Sequence, residues 1–201
     1  MSQILKLTIF GFMLFVLAAC QSPVEDLFAD IEQNKDLMSL ADSCPFENFK
    51  EPEIAFDNHI ETCKFQKQSC LDKCFSGSAN YCFAVAHVID AEKSEPKYAE
   101  VLYARSCELG LVLGCTNHGA NFAFYKPSEF ACYIPEFKFA CERNDSWGCV
   151  MYGRMMAEGR GTDQDYIKAK DAFNKTCIVG PDDDACVFAK ELLEKILNLE
   201  K

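Results

Sequence analysis

The sequence predicts an all-α chain: a solenoid of about four helix-turn-helix units, each stapled by one disulfide. Three observations carry this. Cysteines recur in pairs, Cys74 with Cys82, Cys107 with Cys115, Cys141 with Cys149 and Cys177 with Cys186, with seven intervening residues in three pairs and eight in the last. First members lie 33, 34 and 36 residues apart, a period that marks stacked helix pairs rather than one closed domain. Three residues after each first member stand Gly77, Gly110, Asn144 and Gly180, the residue types that enter the left-handed conformation at low cost and so end helices. Each pair therefore flanks a tight turn, its first member closing helix A and its second opening helix B, where antiparallel helices come close enough for a disulfide.

The chain opens with a different signal. One positive charge at Lys6, an almost unbroken apolar run from Leu7 to Leu17, and then Leu17-Ala18-Ala19-Cys20 read as a secretory signal over residues 1–19. The run is shorter than the roughly 20 residues a membrane span needs. The Leu-Ala-Ala-Cys string resembles the bacterial lipobox, and by that resemblance Cys20 is the lipidated first residue of the mature chain. Gln21 after it implies outer-membrane rather than inner-membrane retention. An ordinary cleaved signal ending in a chance cysteine is the alternative.

Removing residues 1–19 leaves 19 basic against 31 acidic side chains. That balance argues against nucleic acid, which needs clustered lysine and arginine, and leaves no polybasic patch, so membrane attachment would rest on acyl chains. Residues 20–53 read as a tether: Pro23 can open a helix, and Val24, Leu27, Phe28 and Ile31 form a short stripe that packs on the first unit. Pro45 and Pro52 break the chain before the repeat domain, residues 54–201.

Within the units, Tyr103, Phe137 and Phe173 precede the first cysteine by one helical turn, with Cys70 in that place in the first unit. Ile89, Phe122, Met156 and Leu193 follow the second cysteine by two turns. These spacings put them on buried faces. Ala86, Gly119 and Gly153 allow close helix approach, a pattern Lys190 breaks in the last unit. Ser78, Asp145 and Asp182 are candidate caps of helix B, while the second unit offers only Leu111 and Val112. The run Asp182 to Asp184 is read as capping rather than calcium binding, since it lacks the spaced oxygen ligands and bidentate glutamate. Cys186 to Lys201 forms an amphipathic terminal helix, with Val187, Phe188, Leu192, Leu193, Ile196 and Leu197 apolar and a solvated outer face.

Residues 149–177, with Tyr152-Gly153, Gly159-Arg160-Gly161, Asp165 and the stripe Ala169, Ala172, Phe173, resemble a Sel1-like repeat. With paired cysteines at this spacing, the stretch from Cys63 onward is similar to the cysteine-rich branch of that family, the Helicobacter cysteine-rich proteins. The resemblance implies a right-handed, TPR-like solenoid of the bacterial envelope. It also implies two functions. One is a lipid-anchored scaffold whose concave helix-A surface holds another envelope or secreted protein or peptide, facing the periplasm or the cell surface. The other is a weak β-lactamase or penicillin-binding protein.

For the second, residues are scarce. Ser94-Glu95-Pro96-Lys97 matches only the first of three expected strings, at chance frequency, and Lys175-Thr176-Cys177 lacks its glycine. His59, His87 and His118 lie beside apolar stripes and read as packing residues. No catalytic, cofactor or metal residue is assigned. No C-x-x-C is present, and disulfides are the default for twelve cysteines in an oxidising compartment. Trp147 in the third turn is an exposed contact residue or a partly buried anchor.

Four cysteines remain. If Cys63, Cys70 and Cys74 share one helix they cannot bridge one another, so Cys63 or Cys70 reaches Cys44 in the tether. Cys132, near the start of a helix A shortened by Pro135, pairs with a first-unit cysteine, stays free or joins another chain. Closing an eight-residue loop stabilises by about 2.5 kcal/mol in the chain-entropy account, so four staples rival the 5–15 kcal/mol, roughly, of a whole domain. Reduction should therefore unfold the protein or lower its melting temperature sharply. An unchanged calorimetric melt in reductant would overturn the staple argument.

Overall fold

The computed structural model of the protein describes residues 23–41, 49–50, 53–125 and 130–199. These form eleven α-helices and one 3-10 turn, with no strand among the described residues. Helices α1 (Pro23–Gln33) and α2 (Lys35–Met38) precede α3 (Ile60–Phe65). Four hairpins follow: α4 (Lys67–Phe75) with α5 (Ala79–Glu92), α6 (Pro96–Glu108) with α7 (Val112–Tyr125), α8 (Phe130–Glu142) with α9 (Ser146–Glu158), and α10 (Tyr166–Lys175) with α11 (Asp184–Leu199). From α3 onward each helix packs on the next in chain order, the pattern of a helical solenoid.

The turns show why these residues reverse the chain. Gly77, Gly110, Asn144 and Gly180 all have positive φ, and between them the hairpins close Cys74–Cys82, Cys107–Cys115, Cys141–Cys149 and Cys177–Cys186 with Cα separations of 4.3 to 4.7 Å. Capping differs in detail from the expectation. Asp145 Oδ1 accepts from the Gly148 N–H at 2.6 Å, but Ser78 makes no side-chain cap bond. In the last hairpin Asp183, not Asp182, accepts from the Ala185 N–H, because α11 begins at Asp184 and only the residue just before it can reach back over the first turn.

Small residues set the distance between hairpins. A Cβ on Gly119 would lie 2.9 Å from the Phe137 ring, and one on Gly153 would lie 2.6 Å from the Phe173 ring. Helices α7 and α9 thus seat the aromatic of the next helix A on bare backbone, and Tyr103, Phe137 and Phe173 are at most 2 % exposed. Ile89, Phe122 and Met156 are buried alongside them, and Leu193 is partly buried. In the terminal helix Ile196 is buried and Phe188 and Leu192 are partly so, whereas Val187 and Leu197 face solvent.

Three expectations for the unpaired cysteines and their helices are corrected. Cys63 bonds Cys70, with Cα atoms 5.7 Å apart. In one continuous helix, seven residues would separate them by about 10.5 Å, but the helix breaks at Gln66, at φ −131° and ψ 45°, and α3 folds back. Neither reaches out to Cys44, which lies outside the described residues together with Cys20 and the segment 1–19. Cys132 is not a free thiol; it too is disulfide-bonded. Pro135 does not shorten helix α8, which runs through it from Phe130 to Glu142: flanking Tyr133 and Phe137 are anchored in the core, offsetting the lost backbone hydrogen bond.

The tether is more tightly held than its name suggests. Leu27 and Ile31 are fully buried in the first core, Phe28 stacks on Tyr98 at 4.6 Å, and Glu32 accepts from the Tyr98 hydroxyl and the Lys97 ammonium. Helix α1 lies on α4 and α2 on α6. The chain then crosses the hairpin turns: Phe49 meets Phe139, Lys50 pairs with Glu108, the Ile54 N–H donates to the Gly110 carbonyl, and Asn80 brackets Ala55 and Asp57.

The turn after α5 supplies a test. Gly159 ends α9 at φ 63°, and the matching place after α5 holds Lys93 at φ 50°. A side chain in that region costs about 1 kcal/mol, so Lys93→Gly should raise stability by roughly 0.5–1 kcal/mol. A urea midpoint that falls would show that Lys93 is held there by contacts worth more than the strain.

Candidate functional site

Geometry separates the helices into two layers. The helix-B members α5, α7, α9 and α11 touch one another in series, and α3 joins this row against α5, while α4, α6, α8 and α10 touch one another far less. The helix-B members thus form one continuous layer of the stack. Part of the helix-A layer is in addition covered by α1 and α2.

The helix-B layer carries side chains that a sealed core would not leave outside. Phe124 at the end of α7 is 77 % exposed and Trp147 at the start of α9 is 44 % exposed. The Trp147 ring lies 6.1 Å from that of Phe188 on α11, so Trp147 is an exposed contact residue with one side anchored. Two grooves run along this face. One lies between α3 and α5, lined by Ile60, Lys64, His87, Ala91 and Glu92. The next lies between α5 and α7, lined by Asp90, Lys93, Asn117, Ala120, Asn121 and Phe124.

Beneath the second groove lies a polar cluster that the sequence reading missed. His118 on α7 and Glu136 on α8 are at most 1 % exposed, and His118 Nδ1 stands 3.1 and 3.2 Å from the two carboxylate oxygens. Burial pushes the Glu136 carboxyl above its ordinary value, with His118 pulling the other way. The carboxylate also sits beside the Cys107 and Cys115 sulfurs, within 4.8 Å, but those sulfurs bond each other and have no thiolate to offer a metal. Burial, and then the charge of Asp90, raise the Tyr103 phenol. A similar push by burial acts on Asp145, opposed by the Thr116 hydroxyl and the Gly148 N–H.

These residues could be found by aligning the repeats on their cysteines. Five places before the first cysteine stand Ser69, Leu102, Glu136 and Ala172; three places after the second stand Val85, His118, Tyr152 and Ala189; six places after it stand Val88, Asn121, Met155 and Leu192. Ser69 is exposed, but Glu136, His118 and Asn121 are buried and break an apolar register, and a buried polar group needs a partner or a use.

The residues weighed for catalysis do not converge. His59 stacks on Tyr81 at 4.0 Å, His87 lies against Phe83 and His118 is sealed with Glu136, so each packs in a different hairpin or face. Ser94 is in the loop before α6, and the Lys97 ammonium is held by Glu32 at 2.8 Å. Its hydrogen bond to Glu32, and then that to Tyr98, raise the Lys97 pKa, the opposite of what a lysine base needs. No helix among the described residues is long and apolar enough to cross a membrane. The five disulfides with both partners among the described residues point to an oxidising, extracellular or periplasmic setting. No known family matches the chain, and no curated protein or solved structure matches it either.

The Glu136 carboxyl holds its proton to higher pH folded than unfolded, so its contribution is fully present below the unfolded value of about 4.3 and is lost as pH rises through the folded value. Glu136→Gln should therefore flatten the decline in urea midpoint between pH 5 and pH 7.5. An unchanged slope in the variant would assign the decline to other groups.

Proposed function

We propose that this chain is a lipid-anchored, disulfide-stapled scaffold of the bacterial envelope, a right-handed Sel1-like stack of about four repeats that holds another envelope or secreted protein or peptide. The repeat period and the Gly159 to Gly161 turn support the family, and the Leu17 to Cys20 string supports an outer-membrane anchor at Cys20. The observation that carries the scaffold reading is the continuous helix-B face with the exposed rings of Phe124 and Trp147 among polar neighbours. Large aromatic side chains left in water on a stapled, rigid surface bind partners with little ordering cost. Stacked helical hairpins offer such surfaces without a catalytic set.

The test is site-specific photo-cross-linking in the native envelope. A photoreactive residue at Ala120 or Met151 should trap one discrete species, one at Ile167 on α10 should not, and Phe124→Ala with Trp147→Ala should lower the yield at least about fivefold, one such truncated anchor being worth roughly 1 kcal/mol or more. Equal trapping from Ile167, or none from the helix-B face, would overturn the scaffold. Cys20→Ser should move the protein from the membrane to the soluble fraction; retention would overturn the anchor.

A further inference from the structure

Asn121 on α7 is 7 % exposed, and its Nδ2 donates to Asp90 Oδ1 on α5 at 3.3 Å, yet its Oδ1 is buried with no hydrogen-bond partner. The Tyr103 hydroxyl is buried beside Asp90, whose charge raises the phenol. A buried acceptor left without a donor costs about 1–3 kcal/mol, and the asparagine that carries it lines an open groove of about 390 Å³. Asp90 supplies a carboxylate in the same groove, Asn117 a further amide, and the exposed Phe124 an aromatic face at its edge. Asn117 spends its Nδ2 on the Leu113 carbonyl at 2.9 Å, and its oxygen makes no intrachain bond among the described residues. A carboxylate, amide oxygens and an aromatic ring together are a donor-seeking, cation-accepting set. The only cation of the groove's own lining, Lys93, is exposed at the helix end and makes no ion pair with Asp90.

We infer that the groove between α5 and α7 receives a cationic side chain, the guanidinium or ammonium of an arginine or lysine in a bound segment, with Asp90 as counter-ion, Asn121 Oδ1 as acceptor and Phe124 as lid. The inference rests on the reading of this face as the docking face and names the chemistry it selects. The acidic balance of the chain, 31 acidic against 20 basic residues, favours the approach of such a segment.

The probes are N-acetyl-argininamide and N-acetyl-lysinamide, titrated into oxidised, isotope-labelled protein and followed by nuclear magnetic resonance, with neutral N-acetyl-citrullinamide as control. Saturable shifts are expected at the Asn121 side-chain amide and at Phe124 with either cation and not with citrullinamide. Asp90→Asn should weaken binding about tenfold or more, Phe124→Ala should weaken it several-fold, and Lys93→Gly, which removes a competing charge, should tighten it. Phe124→Ala alters a side chain that is 77 % exposed and keeps the test valid if Asp90→Asn fails to fold. Equal response to citrullinamide, or affinity unchanged in Phe124→Ala and Lys93→Gly, would overturn the site. Cation binding without any cross-linked partner would sustain the site and discard the scaffold; a cross-linked partner with no cation binding would do the reverse.

Discussion

The contact on which this stack depends is an aromatic ring seated on a residue with no side chain. Phe137 lies where a Gly119 Cβ would be, and Phe173 where a Gly153 Cβ would be. The four turn disulfides act within a hairpin and fix how helix A meets helix B, but they say nothing about how one hairpin meets the next. That second distance is set by ring on backbone, a contact too short for even alanine without displacement. The aromatic fills the gap between hairpins, so its burial and the inter-hairpin spacing are one quantity.

Two consequences follow for the surface. The seats lie on helix B, whose members touch in series. The tether uses the other layer: Leu27 and Ile31 enter the first core from the helix-A side while Phe28 covers Tyr98. The chain thus covers part of its helix-A layer at the N-terminal end, while Phe124 and Trp147 on helix B stay largely exposed.

Period, turn glycines and apolar register were readable in the sequence because each is a local property repeated four times, and repetition averages out the noise in any one copy. Gly77, Gly110, Asn144 and Gly180 could be placed at helix ends from residue type alone, and φ is positive at all four. What failed to read was whatever depended on a single copy. Gln66 carries no strong helix-breaking chemistry, yet its conformation turns one expected helix into α3 and α4 and brings Cys63 to Cys70. Pro135, a strong breaker by composition, fails to break α8 because its neighbours Tyr133 and Phe137 are buried at 1 % and 0 %.

The polar group inside this otherwise apolar register deserves a physical reason beyond packing. An apolar pair at positions 118 and 136 would fit the register of the other repeats and cost nothing in desolvation. With His118 and Glu136 there instead, the second and third hairpins share a directional contact in place of a greasy one, and it lies directly behind Gly119, whose missing Cβ admits Glu136 Oε2 at 3.0 Å as well as Phe137. A hydrogen bond of fixed length fixes register as dispersion cannot, because dispersion tolerates sliding by a methyl group and a two-oxygen contact to one nitrogen does not. The same helix, α7, carries Asn121 and Phe124 one turn further on. Pinning α7 to α8 at His118 therefore holds the groove side chains of α7 at a constant height against Asp90 on α5, and the stability cost of the buried pair becomes intelligible as the cost of a rigid helix-B face.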